Sequence, residues 1–195
     1  LEQLESYYGM KQHSYNIILA PFIHCGGFGP SVILEDGSRD IYSVIGPCSV
    51  INNIPTFLYD KKGIEDIIFH EFSHSFVNPL TDQNSKKVNE CKKLFRPISS
   101  EMADMQYGEW EICLNEHLIR TFTTRMLAFN HGDNVSKDQE EVEIKMGFVY
   151  LPLLLEQYKM YENNRFTYKT YKDFYLYLLG YLKELSTYPS IPTYF

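Results

Sequence analysis

Between Ile64 and Val77 the chain sets His70-Glu71-Phe72-Ser73-His74 into a mostly apolar run. The apolar spacing predicts a helix here, and a four-residue interval puts His70 and His74 on one face, one turn apart. Ile67, His70, His74 and Val77 fall on one line; Ile64, Ile68, Phe72 and Phe76 fall on a second. A helix that is apolar nearly all round is buried, and two buried imidazoles need partners. One metal ion bridging both is such a partner, with Glu71 in reach of a water on that metal. The competing reading is a pair of core histidines bonded to carbonyl oxygens, with Glu71 turned to water.

The 195 residues suit a single domain spanning 1–195 with a substantial core. A net charge of −7 argues against a nucleic-acid partner. No apolar run approaches a membrane span. Cys25, Cys48, Cys91 and Cys113 are scattered without a Cys-x-x-Cys pair, so they form neither a zinc ribbon nor a redox pair, and any disulfide pairing is left open. The chain begins at Leu1 without a signal peptide, which reads as a mature or trimmed piece of a longer product. Nothing in the sequence fixes an oligomeric state.

The first 60 residues read as β-rich. A short helical segment precedes a strand from Ser14 to Ile23. The glycine-rich turn His24-Cys25-Gly26-Gly27-Phe28-Gly29-Pro30 is not a phosphate loop, because no lysine and no helix follow. It is either a mobile connection or a rim beside a cleft. Ser31–Leu34 and Asp40–Ile45 read as an antiparallel hairpin about Asp36-Gly37. Val50–Tyr59, interrupted by Pro55, reads as partly irregular. The motif helix opens at Lys61-Lys62-Gly63 and is expected to close at Asn78-Pro79, since the residue before proline is pushed out of helix.

Asp82–Phe95 reads as a charged surface helix capped by Asp82 or Asn84, and Ser99 or Ser100 caps a short helix to Met105. A long helix follows, from about Gly108 to Asn130. Its stripe Ile112, Glu116, Ile119, Thr123, Met126 puts Glu116 on an otherwise apolar face, where a carboxylate must be paired, protonated or bound to metal. Glu109, two turns earlier, competes for that role; Glu111 fits less well. Arg120 lies one turn on, so a plain Glu116–Arg120 ion pair is the alternative. His131-Gly132-Asp133-Asn134 reads as a loop, and Lys137–Lys145, with Asp138, Glu140, Glu141 and Glu143, as a solvated helix face. Helices over Phe148–Met160 and Tyr171–Leu185 complete the chain. Together these elements predict an α+β fold, with a small antiparallel-rich N-terminal sheet followed by a mainly helical region.

His70-Glu71-Phe72-Ser73-His74 followed on a later helix by Asn115-Glu116 resembles the gluzincin group of zinc metallopeptidases. The stretches His70–Pro79 and Asn115-Glu116-His117-Leu118-Ile119-Arg120 look most like an uncharacterised, mostly exported bacterial family of predicted metallopeptidases. The likeness covers most of the chain, with its specific residues in 64–80 and 110–125. Arg120 stands where the gluzincin group often has an aspartate. Forty-one residues lie between His74 and Glu116, more than in the best-known members, so the charged stretch after the motif reads as an insertion. The pattern of a metzincin, with a third histidine shortly after the motif, is absent.

The resemblance implies a zincin-like fold with the motif helix at the cleft. It also implies one zinc per chain held by His70, His74 and Glu116, and an exported protein, periplasmic or extracellular. Two imidazoles and one carboxylate leave an open position, as catalytic zinc requires. Glu71 is then the general base and a peptide or protein the substrate. Asn115 and Arg120 are candidates to support the carboxylate from behind. Tyr107, His117, His131 and Tyr150 are candidates to stabilise the oxyanion or donate a proton. An extended substrate can pair with an edge strand of the N-terminal sheet. The alternatives are a zinc-containing binding module without turnover and a domain with no metal. Glu71 argues against the former, since a structural site has no need of a base and commonly has four protein ligands.

Overall fold

The computed structural model describes residues 1–188. Helix dominates, at 59% against 13% strand, and the class is α+β. The described chain gathers into two compact units, one of Leu1–Glu5 with Met10–Phe76, the other of Ser6–Gly9 with the chain from Val77 on.

After α1 (Glu2–Tyr8), the first unit holds β1 (Ser14–Leu19), β2 (Gly27–Phe28), β3 (Ser31–Ile33), β4 (Arg39–Ile45), β5 (Ser49–Ile51) and β6 (Ile54–Thr56). The expected hairpin is present: β3 pairs antiparallel with β4 through the Asp36-Gly37 turn, where Asp36 Oδ1 accepts from the Ser38 amide at 2.9 Å. The sheet is nevertheless mixed, because β1 runs parallel to β4 from Ser14↔Asp40 to Leu19↔Ile45. Among the described residues only β4 has neighbours on both sides in this sheet, and its Ile41 and Ile45 are fully buried. The stretch read as irregular is a second hairpin. Asn52 and Asn53, at φ 51° and 63°, form its two-residue turn, a conformation asparagine tolerates better than most residues. Pro55 is accepted because both strands of a two-stranded ribbon are edges.

The motif helix α2 (Lys61–Gln83) does not stop at Pro79 but runs through it. Proline at this position removes the amide that would bond the Ser75 carbonyl. Gln12 supplies a substitute, its Nε2 donating to Ser75 O at 3.4 Å. Burial of Leu80 and Thr81 beyond the usual stop holds the last turn helical against the local bias. The first half of α2, through His70, is only half-buried; the second half is the buried part.

In the second unit, the helix expected over 82–95 is broken. It becomes α3 (Ser85–Glu90) and two 3-10 turns, Lys92–Leu94 and Arg96–Ile98. Asn84 precedes α3, but its side chain bonds back to Leu80 O at 2.8 Å rather than capping. Next come α4 (Ser99–Asp104), α5 (Trp110–His131), α6 (Asp133–Lys145), α7 (Leu151–Asn163) and α8 (Tyr171–Leu185). The expected loop at 131–134 is a one-residue break: α5 includes His131, α6 begins at Asp133, and Gly132 turns the chain at φ 94°, which a side chain would resist. The aromatic stripe of α8 is core, with Phe174 stacked on Tyr161 at 4.7 Å between centroids. A Thr170/Asp173 capping box starts that helix.

One buried tie joins three of these helices. Thr81 Oγ1, in the last turn of α2, donates to Asn115 Oδ1 on α5 and meets the Tyr175 hydroxyl of α8 at 2.7 Å. This fixes the register of α5 at the residue before Glu116. Thr81→Val keeps the shape but leaves two buried polar groups short of a partner. It is expected to lower stability by about 1–3 kcal/mol in urea denaturation; a variant as stable as the parent would show that the tie carries no weight.

Candidate metal centre

His70 and His74 lie on one face of α2 with ring centroids 5.1 Å apart and planes at 72°. Glu71 is buried, and its Oε2 stands 4.0 Å from His74 Nε2. The side-chain ligand atoms of His70, His74 and Glu116 all lie within 4.8 Å of one another. Atoms bound to a tetrahedral zinc at about 2.0–2.2 Å stand roughly 3.3–3.6 Å apart. Side-chain shifts on the order of an ångström therefore bring the three atoms to bonding geometry. Two imidazole nitrogens and a carboxylate oxygen are also a donor set that zinc accepts in catalytic sites, so the residues present fit the ion.

Glu116 lies mid-helix in α5, buried together with Cys113 through Ile119. The stripe that singled it out is less exclusive than its spacing suggests, because Ile112, its first member, is exposed and the middle of the helix is buried on all sides. Glu109, the rival, is the exposed residue that precedes the first turn of α5. Arg120 makes the ion pair with Glu116 that its spacing allows. Its Nε lies 3.4 Å from Glu116 Oε2, and it also reaches away from Glu116, NH1 donating to Glu143 Oε2 at 3.0 Å and NH2 to the Tyr107 hydroxyl at 3.4 Å. The guanidinium stacks 4.3 Å from the Phe148 ring centroid. The flanking carboxylates raise its pKa against the opposing effect of burial. Asn115 serves the Thr81 tie.

The four candidates for the oxyanion separate cleanly. Tyr107 is half-buried beside Glu116 and Arg120; burial, then the Glu116 charge, raises its pKa, so the phenol keeps its proton at neutral pH. His117 is buried between Phe148 and Tyr150. Its Nδ1 bonds the Cys113 carbonyl at 2.9 Å and must carry the proton, since a carbonyl only accepts. Burial pulls its pKa down to about 4, which makes it a neutral core imidazole. Tyr150 spends its hydroxyl on Leu94 O at 2.7 Å. His131, fifteen residues beyond Glu116 on the same helix, is about 22 Å further along the axis at 1.5 Å per residue.

Two features escaped the sequence reading. Glu143 belongs to the segment taken as a solvated face, yet it is buried against Arg120. The glycine-rich turn, read as a mobile connection or a rim, lies against the motif helix, and Gly27 and Gly29 are required there. A Cβ on Gly27 would stand 2.6 Å from Glu71 Oε1, and one on Gly29 only 2.0 Å from the Glu71 carbonyl oxygen. Gly27 and Gly29 thus pass over Glu71 at a spacing that leaves no room for a side chain.

A model of the family described as a domain of unknown function, DUF4932, matches residues 1–180. The chain belongs to that family. No curated protein and no solved structure matches it. Among the described residues no helix is long and apolar enough to cross a membrane.

Gly29→Ala should cost about 1–3 kcal/mol by overpacking against backbone. Gly180→Ala, on the exposed face of α8 where a Cβ meets nothing within 4 Å, should be neutral or stabilising by up to about 1 kcal/mol. Chemical denaturation of both variants checks the pair, and equal stabilities would refute the close approach at Gly29.

Proposed function

We propose that the chain is a single catalytic domain of the zincin-like type, a zinc-dependent peptidase that hydrolyses a peptide or protein substrate. The grouping of His70, His74 and Glu116 next to a buried Glu71 is the observation that carries this reading. His70, His74 and Glu116 hold the ion. When bound, zinc supplies a Lewis acid that lowers the pKa of a water and polarises a carbonyl. Glu71 takes the proton of the attacking water and delivers it to the leaving amine. Tyr107, protonated and beside Glu116, donates to the developing oxyanion.

The substrate's extended backbone pairs with β2, whose Gly27 lies against Glu71 and which, among the described residues, is bonded to one neighbour, β4. A module that merely holds zinc has no use for Glu71, and that residue favours turnover over binding alone. Export to the periplasm or beyond rests on the family resemblance and belongs to the same proposal.

The purified protein should hold about one zinc per chain, lost on mild chelation from His70→Ala and His74→Ala. Glu71→Gln should keep the metal and lose roughly two to four decades of rate on a mixed peptide library. Full zinc retention in both histidine variants would end the metal reading, and full activity in Glu71→Gln would end the assignment of the base.

A further inference from the structure

Arg120 stands between two buried carboxylates, and the two contacts are unequal. NH1 makes a 3.0 Å hydrogen bond to Glu143 Oε2, while Nε is 3.4 Å from Glu116 Oε2. Glu143 is fixed at both ends. Its Oε1 accepts from Gln139 Nε2 at 2.8 Å, and its backbone carbonyl accepts the Phe148 amide at 3.0 Å. Of the acids in α6, Asp133, Asp138 and Glu141 are exposed and Glu140 half-exposed; Glu143 alone is buried. Two carboxylates and one guanidinium leave this buried cluster one negative charge in excess. An arginine held by one carboxylate tends to pair with it through both arms of its fork and to neutralise it. Here the fork is divided, and its better arm belongs to Glu143.

We infer that Glu143 sets the cation affinity of Glu116 by competing for Arg120. It is a positioning residue that keeps the guanidinium from closing on the carboxylate and so preserves the charge a divalent ion needs. The inference rests on the metal-centre reading above. Support from behind a ligand commonly changes metal affinity by about 10–100-fold, and a competing arginine lies in the same position.

The test is the zinc dissociation constant, measured by competition with a chromophoric chelator. Glu143→Gln should weaken zinc binding about 10–100-fold, because Arg120 then turns its whole fork on Glu116. Arg120→Gln combined with Glu143→Gln should bind zinc more tightly than Glu143→Gln alone, since the competitor is gone. Arg120→Gln alone, with Glu143 in place, should raise zinc affinity by less than it does in the Glu143→Gln background; a merely structural role for Glu143 predicts the same gain in both. Unchanged affinity in Glu143→Gln, or a double variant no tighter than the single one, overturns the inference while leaving the metal centre standing. A parent protein that takes up no zinc overturns both. If Glu143→Gln does not fold, Gln139→Ala carries the test: it releases one arm of Glu143 and should weaken zinc binding several-fold, and unchanged affinity there counts against the inference.

Discussion

Burying the carboxylate of Glu116 in the middle of α5 is the constraint that the surrounding structure answers. A desolvated carboxylate without partners costs more than a domain of this size can spare. Two groups of the chain meet that cost here, the guanidinium of Arg120 and the phenol of Tyr107, and under the proposed function a cation shared with His70 and His74 would be a third. Arg120 alone would satisfy Glu116 and leave nothing for a metal. Glu143 prevents this by taking the shorter contact. It does so from a helix whose inner face is polar: Ser136 bonds Thr124 O at 3.1 Å and Gln139 holds Glu143 at 2.8 Å. The packing of α6 on α5 is therefore an electrostatic arrangement as much as an apolar one.

Glu71 is supported differently. Besides His74 Nε2 at 4.0 Å, it has the side-chain-free Gly27 against its carboxylate and Gly29 against its carbonyl oxygen. Backbone that must come this close accepts only glycine. The continuity of α2 through Pro79 belongs to the same construction: Gln12, from the segment just before β1, takes over the carbonyl that proline leaves open. One helix can then carry the histidines in its half-buried part and the Thr81 tie at its far end.

The sequence was most legible where periodicity and chemistry coincide. The four-residue interval of His70 and His74, the burial of Glu116, and the bounds of α8 could all be read from spacing. It was least legible where a local rule is overridden by burial. Proline bias placed the end of α2 too early because the burial of Leu80 and Thr81, past the proline, does not show in a local pattern. Glu143 escaped because the face it shares with Ser136 and Gln139 has no apolar periodicity to betray it. The parallel pairing of β1 with β4 is a matter of long-range topology, which a turn such as Asp36-Gly37 does not encode. The second hairpin turns on Asn52-Asn53, a weaker signal than Asn-Gly.

Zinc K-edge X-ray absorption on the protein loaded with one equivalent of metal tests the central claim most directly, because it reads the donor atoms without reference to activity. Two imidazoles and carboxylate or water oxygens at about 2.0–2.2 Å, with no sulfur in the shell, are the predicted result. A thiolate scatterer at about 2.3 Å, or a spectrum without imidazole, would place the metal on other residues and contradict the account.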